Sequence, residues 1–226
     1  MMSRDAILSR IRRSLGVAAT DIDRRATVSD RLMRPPRGLI PKRGQLPPAE
    51  RTRLFAEMAE RVNCTVARVA DAEAIPEAVA DYLRGRNLPA ALRRGADPRL
   101  AALPWDGQPQ LAVSVGPSDG QDLVGLSHAF AGVAETGTLV LVSGEDNPTT
   151  LNFLPEYHIV VVRAEEIESD TETVWDRLRR VYGKGVMPRT VNMVTGPSRS
   201  GDIEQTILLG AHGPRSLHIL VVGAAD

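Results

Sequence analysis

The sequence predicts an α/β fold: an open, largely parallel sheet flanked by helices, preceded by an N-terminal helical arm. Three observations carry this expectation. Short runs such as Thr138–Val142, His158–Arg163 and Leu217–Val222 are apolar on both faces, as strands covered on both sides must be. Segments with apolar residues at helical spacing alternate with them. Aromatic residues make up only 4% of the 226-residue chain, so Val, Leu, Ile and Ala must build its core.

Taken in order, residues 4–15 read as a short amphipathic helix with Ile7, Leu8, Ile11 and Leu15 on one face and Gly16 ending it. Residues 20–50 are rich in Arg, Pro and Gly and read as a linker or extended arm. A helix from about Ala49 carries Leu54, Phe55, Met58 and Val62 on one side, and a strand over Cys64–Val69 follows. A second helix after Pro76 carries Val79, Tyr82 and Leu83 and stops at Gly85. Further on, Gln110–Val115 reads as a strand and Gln121–Phe130 as a helix. Thr138–Val142 and His158–Arg163 are strands, and Thr171–Val181 is a helix with Val174, Leu178 and Val181 inward. Val191–Thr195 is a strand, Ile203–Leu209 a helix, and Leu217–Val222 the last strand. The organisation expected is a basic arm and linker over residues 1–50 and an α/β domain over 51–226.

Net charge is zero, but it is unevenly spread. Residues 1–53 hold 13 Arg/Lys against 5 Asp/Glu, a net of +8 that the remainder balances. A basic arm suits an anionic partner. It lacks the interleaved aromatics that stack on bases, which argues against nucleic acid and for packing on the acidic body or on a second copy in a homo-oligomer. The single cysteine, Cys64, excludes a disulfide framework and a four-cysteine cluster, and the four histidines show no metal-ligand spacing, so no metal site is expected. No apolar run reaches the length of a membrane span and the amino terminus lacks a signal-peptide core, which predicts a cytoplasmic protein.

Three segments carry candidate chemistry. In Gly132-Val133-Ala134-Glu135-Thr136-Gly137-Thr138, a carboxylate sits in a tight turn at the start of a buried strand. A buried charge is costly, so Glu135 must pair with a neighbour or meet a ligand. The loop Gly196-Pro197-Ser198-Arg199-Ser200-Gly201-Asp202-Ile203-Glu204 leads toward an expected helix. The carboxyl end of a parallel strand is where such sheets place ligands. A helix N-terminus there would favour a phosphate or carboxylate, with Arg199 as a direct contact. Helix capping explains one serine, Asp202 and Glu204 equally well. In Gly210-Ala211-His212-Gly213-Pro214, His212 suits acid/base or anion-contacting work, or simply caps a helix. His128 reads as structural, and His158 as a weaker candidate than His212. No GxGxxG or GxxxxGK[ST] fingerprint is present.

Together AETGTLVL, LPEYHIVVV and GPSRSGDIEQTILLGAHGP resemble, in order and spacing, the LUD domain of the lactate utilization protein C family, over roughly residues 50–226. The resemblance implies an open α/β sheet of the NagB/RpiA/CoA transferase-like superfamily. It implies a part in oxidising L-lactate to pyruvate beside iron–sulfur partner subunits, with no cofactor bound by this chain itself. Glu135, Thr136 and Gly137 fall on the family's A-[ED]-T-G motif. Gly196, Ser198, Asp202 and Glu204 fall on GPSxSxDIE, and His212 and Gly213 on GxHGP. Gly201 stands where alanine is usual. The candidate catalytic residues are therefore Glu135 and His212. The candidate ligand-binding residues are Thr136, Gly137, Gly196, Ser198, Arg199, Ser200, Asp202, Glu204 and Gly213. The ligand expected is a small carboxylate or a phosphate-bearing molecule. Three functions stand as alternatives. One is an accessory, ligand-binding subunit of a lactate-oxidising system. The second is a CoA transferase-like enzyme using Glu135 on a carboxylate or acyl substrate. The third and lesser one is a sugar-phosphate or folate binder on the same fold.

Overall fold

The computed structural model describes residues 3–18, 20–201 and 207–223. It divides into two units, Met1–Leu39 and Ile40–Asp226. The first holds two helices. Helix α1 (Arg4–Ser14) is capped by Ser3, whose hydroxyl accepts from the Ala6 N–H. Gly16 follows it in the left-handed region. Helix α2 (Ile22–Met33) falls where a linker was expected. Its start is set by Asp21, whose carboxylate accepts from the Arg24 N–H at 2.9 Å, and Pro35-Pro36 keep it from running on. The arginine-rich composition masked this capping signal.

The second unit is built on a six-stranded, entirely parallel sheet. Helix α3 (Pro48–Arg61) leads to β1 (Thr65–Val69), α4 (Ile75–Gly85), β2 (Ala91–Arg94), α5 (Pro98–Ala101), β3 (Ala112–Val115) and β4 (Val124–His128). After β5 (Ala131–Val133) and β6 (Thr138–Val142) come α6 (Thr149–Phe153), β7 (Tyr157–Arg163), β8 (Ile167–Glu168) and α7 (Thr171–Tyr182). Strands β9 (Val191–Val194), β10 (Arg199–Gly201), β11 (Ile207–Leu209) and β12 (Ser216–Val222) complete it. The large sheet runs β1-β12-β7-β4-β2-β3.

Alternation along the central strands divides the core. Ile159 and Val161 of β7 and Leu220 of β12 face Val79 and Leu83 of α4. Val160 and Val162, with Ile219 and Val221, face Phe55 and Ala59 of α3. Leu139 and Leu141 of β6 join that second layer, because a four-stranded sheet, β8-β5-β6-β9, lies on the same side. Its far face, Ala131, Val133 and Val140, is covered by Val174 and Leu178 of α7.

Three expectations are corrected. The segment Gln121–Phe130 is no helix: Val124–His128 is a buried strand between β7 and β2. A β-carbon on Gly125 would lie 3.0 Å from the Leu151 carbonyl oxygen, a tight approach that local periodicity does not report. The segment Ile203–Leu209 is not helical at its end. Ile207–Leu209 pairs antiparallel with Arg199–Gly201, with Ser200 opposite Leu208. Val191–Val194 belongs to the smaller sheet, antiparallel to β6, and not to the parallel one.

Candidate functional site

The Glu135 turn and the Gly196 loop are both seated on the end of α3. Gly137 (φ +67°) and Gly196 (φ +82°) lie in the left-handed region. A β-carbon at Gly137 would overlap the Ala59 backbone nitrogen, and one at Gly196 the Val62 carbonyl oxygen. Only glycine meets both demands, so these two positions are first of all packing joints. A line of hydroxyls ties the segments together. Thr136 Oγ1 lies 2.7 Å from Thr138 Oγ1, which lies 2.7 Å from Thr195 Oγ1 at the end of β9.

Beyond Thr195 the chain folds back on the AHGP turn. The Ser198 N–H donates to the Pro214 carbonyl at 2.8 Å, and the Gly210 N–H to the Ser198 carbonyl at 3.0 Å. The Ser198 hydroxyl accepts from the His212 backbone N–H at 3.2 Å. These bonds close a cavity of about 260 Å³, lined among others by Thr195, Gly196, Ser198, Arg199, His212 and Gly213. Asn152, Phe153, His158, Met193 and Leu217 complete its wall. No ion pair to Arg199 is found among the described residues. Beneath the loop, burial pushes the Cys64 thiol up to about 11, despite a hydrogen bond from the Gly196 backbone and the nearby Arg199 charge. Cys64 is an inert core residue behind the cavity lining, not a nucleophile.

One side of this cavity is a buried polar chain. The Ser127 hydroxyl donates to Asn152 Oδ1 at 3.4 Å, and Ser127 Oγ is 2.9 Å from His158 Nε2. Burial pushes the His158 pKa down to about 3, so its ring is neutral across the physiological range. Asn152 is 1% exposed, and its Nδ2 has no hydrogen-bond partner among the described residues.

Five expected residues therefore converge: Gly196, Ser198, Arg199, His212 and Gly213 share the cavity wall. Ser200 lies next to them in β10 but is not among the lining residues. Asp202 and Glu204 lie outside the described residues. Glu135, Thr136 and Gly137 stand apart from the wall, connected to it through Thr138 and Thr195. Glu135 is 6% exposed and its Oε2 is unpaired among the described residues. Gly44 packs over its β-carbon. The loop expected to lead into a helix is a strand over Arg199–Gly201, the expected helix start lies outside the described residues, and the Ser198 N–H is already bonded. Charge for an anion must come from side chains. Asn152, Ser127 and Thr195 were missed. A buried asparagine has no sequence signature apart from the contacts that bury it.

The cavity also sits at the end of the large sheet opposite to the one expected. His158 and Leu217 are second residues of β7 and β12, so it opens at their amino ends. It meets the carboxyl end of β9 only because β9 belongs to the other sheet. At the carboxyl ends of the parallel strands lies a separate cleft of about 240 Å³ lined by Arg99, His128 and Arg163. Its charges are mutually satisfied. Arg99 donates to both carboxylate oxygens of the buried Asp97, at 3.0 and 2.7 Å. Glu166 lies 3.4 Å from Arg99 and 3.3 Å from Arg177. Burial opposes ionisation of Asp97, but the Arg99 hydrogen bonds and charge outweigh it and hold its pKa below the usual value. Burial and Arg99 lower the His128 pKa, so it too stays neutral, with Nδ1 on the Ala129 carbonyl at 2.9 Å. This network braces β4, α5, β8 and α7. Among the described residues no group of three His, Cys, Asp or Glu could hold a metal ion, and no helix is long and apolar enough to cross a membrane.

The LUD domain family model matches residues 52–222. Lactate utilization protein C of Bacillus subtilis (strain 168) is 36% identical over 100 residues, 43% of this chain and 42% of that protein. An uncharacterized protein of Neisseria meningitidis serogroup B is 36% identical over 98 residues, 43% of this chain and 41% of that protein. The matched segment thus spans about two fifths of these relatives. A DUF162 family protein of Deinococcus radiodurans, known from a crystal structure, shares the fold with a TM-score of 0.59 at 22% identity, covering 79% of this chain and 99% of that one.

Proposed function

From the fact that this chain belongs to the LUD domain family, we propose that it serves in lactate utilization as an accessory, ligand-binding subunit. In this reading it acts beside iron–sulfur partner subunits in the oxidation of L-lactate to pyruvate. The names of the similar proteins support the pathway. Cys64 is the chain's only cysteine and is buried, which supports the reading that iron–sulfur clusters are held by partners. The observation that carries the binding role is the convergence of the GPSR loop and the AHGP turn on one cavity holding Arg199 and His212. There Arg199 supplies the charge for a small carboxylate or phosphate-bearing ligand, and His212 a second polar contact.

The test is growth on L-lactate of a strain lacking this gene, complemented with the natural chain or with Arg199→Gln. Restoration by the natural chain and loss with Arg199→Gln, both chains being present at equal level, supports the reading. Full growth of the deletion strain removes the pathway. Full growth with Arg199→Gln removes the cavity from it. Co-purification with a cysteine-rich iron–sulfur protein under reducing, anaerobic conditions tests the partner.

An enzyme of the CoA transferase type, with Glu135 as nucleophile or base, has one observation in its favour: the unpaired Oε2 of that buried carboxylate. Its cover by Gly44 and its absence from the cavity wall favour the binding role.

A further inference from the structure

We propose that Asn152 is the specificity-determining donor of this cavity, which is built for a short-chain carboxylate bearing a second, uncharged oxygen acceptor. The proposal rests on the reading of the cavity as an anion site. Asn152 belongs to none of the three motifs. It is the penultimate residue of α6, lines the cavity and is 1% exposed.

Its orientation is fixed from behind. His158 is fully buried and neutral, with one ring N–H to give. With the Ser127 hydroxyl donated to Asn152 Oδ1, the proton between His158 and Ser127 comes from His158 Nε2. Donation then runs one way, from His158 through Ser127 to the Asn152 carbonyl oxygen. The amide nitrogen is left over, with two N–H groups, buried and without a partner among the described residues. An unmade hydrogen bond at a buried donor is costly, and beside this cavity a ligand oxygen would complete it. A neutral amide reads a neutral acceptor, a hydroxyl or carbonyl oxygen, while Arg199 takes the carboxylate. At about 260 Å³ the cavity is below the range of sites for drug-sized molecules, and Phe153, Met193 and Leu217 leave an apolar side for a short alkyl group.

The experiment titrates the full chain calorimetrically with pyruvate and with propionate, which share charge and length and differ by the keto oxygen. The natural chain is expected to bind pyruvate about tenfold or more tightly. Asn152→Leu should bring the two within about twofold by weakening pyruvate alone, whereas Arg199→Gln should weaken both. Should Asn152→Leu fail to fold by thermal unfolding, Asn152→Ala removes the same donor. Equal, Arg199-dependent binding of both acids overturns the role of Asn152 and leaves the anion site standing. Binding of neither acid overturns both.

Discussion

Thr138 Oγ1 and Thr195 Oγ1 lie 2.7 Å apart, joining the first residue of β6 to the end of β9 across 57 positions of sequence. Beside the β6–β9 ladder and the shared seat on α3, this contact ties the Glu135 turn to the Gly196 cavity loop. Thr138→Val keeps the shape of the side chain and removes the bond. A loss of about 1 kcal/mol is expected, and less than additive when combined with Thr195→Val. Urea unfolding of both single variants and the double variant measures it, and strict additivity would show that the two hydroxyls act independently.

Gly196→Ala should be among the most damaging small substitutions in the chain. The new methyl would meet the Val62 carbonyl oxygen while the backbone stays at positive φ. About 2–4 kcal/mol is expected. Gly223, at φ +71° with open space around it, is the control. Its alanine variant should lose only the cost of the left-handed conformation, about 1–2 kcal/mol. Similar losses at both sites would contradict the close approach to α3.

Acid should weaken the fold before its carboxylates titrate. Burial holds His158 at about 3 and His218 at about 4, both below the ordinary histidine value of 6.5. The unfolded chain therefore binds more protons than the folded one below about pH 6.5, and stability falls as pH drops from there toward 4. Each ring contributes a slope of up to about 1.4 kcal/mol per pH unit in that window. Denaturant unfolding between pH 7.5 and pH 5 checks the sign. Stability unchanged over that range would mean that the rings are solvated.

Asp97→Asn removes the charge that Arg99 grips with two nitrogens. Because Arg99 is then left with Glu166 alone among the described residues at 3.4 Å, a destabilisation of about 1–3 kcal/mol is expected. The depressed pKa of Asp97 means that the natural chain loses this contribution as pH falls below the normal carboxylate range. The variant should not. Thermal unfolding at pH 7 and pH 3.5 distinguishes the two chains.

The sequence by itself determined the elements whose signal is local. The runs Thr138–Val142 and His158–Arg163 are apolar on consecutive residues, and the α3 and α7 segments repeat apolar residues at helical spacing. Such patterns need no knowledge of the partner. The glycine and hydroxyl density at 196–201 and the Ala-His-Gly-Pro turn marked the rim of the cavity in the same way. Only the tertiary structure decided what depended on distant groups. Val124–His128 is a strand because β7 and β2 supply its hydrogen bonds, although Gln121–Phe130 read as a helix. Arg199–Gly201 is a strand because Ile207–Leu209 pairs with it. The cavity opens at the amino ends of β7 and β12 because β9 joined a second sheet, a choice of partner that no strand's own composition encodes. Asn152 acquires its meaning last. An amide is ordinary until neighbours from α6, β4 and β7 bury it, orient it and leave one end unsatisfied.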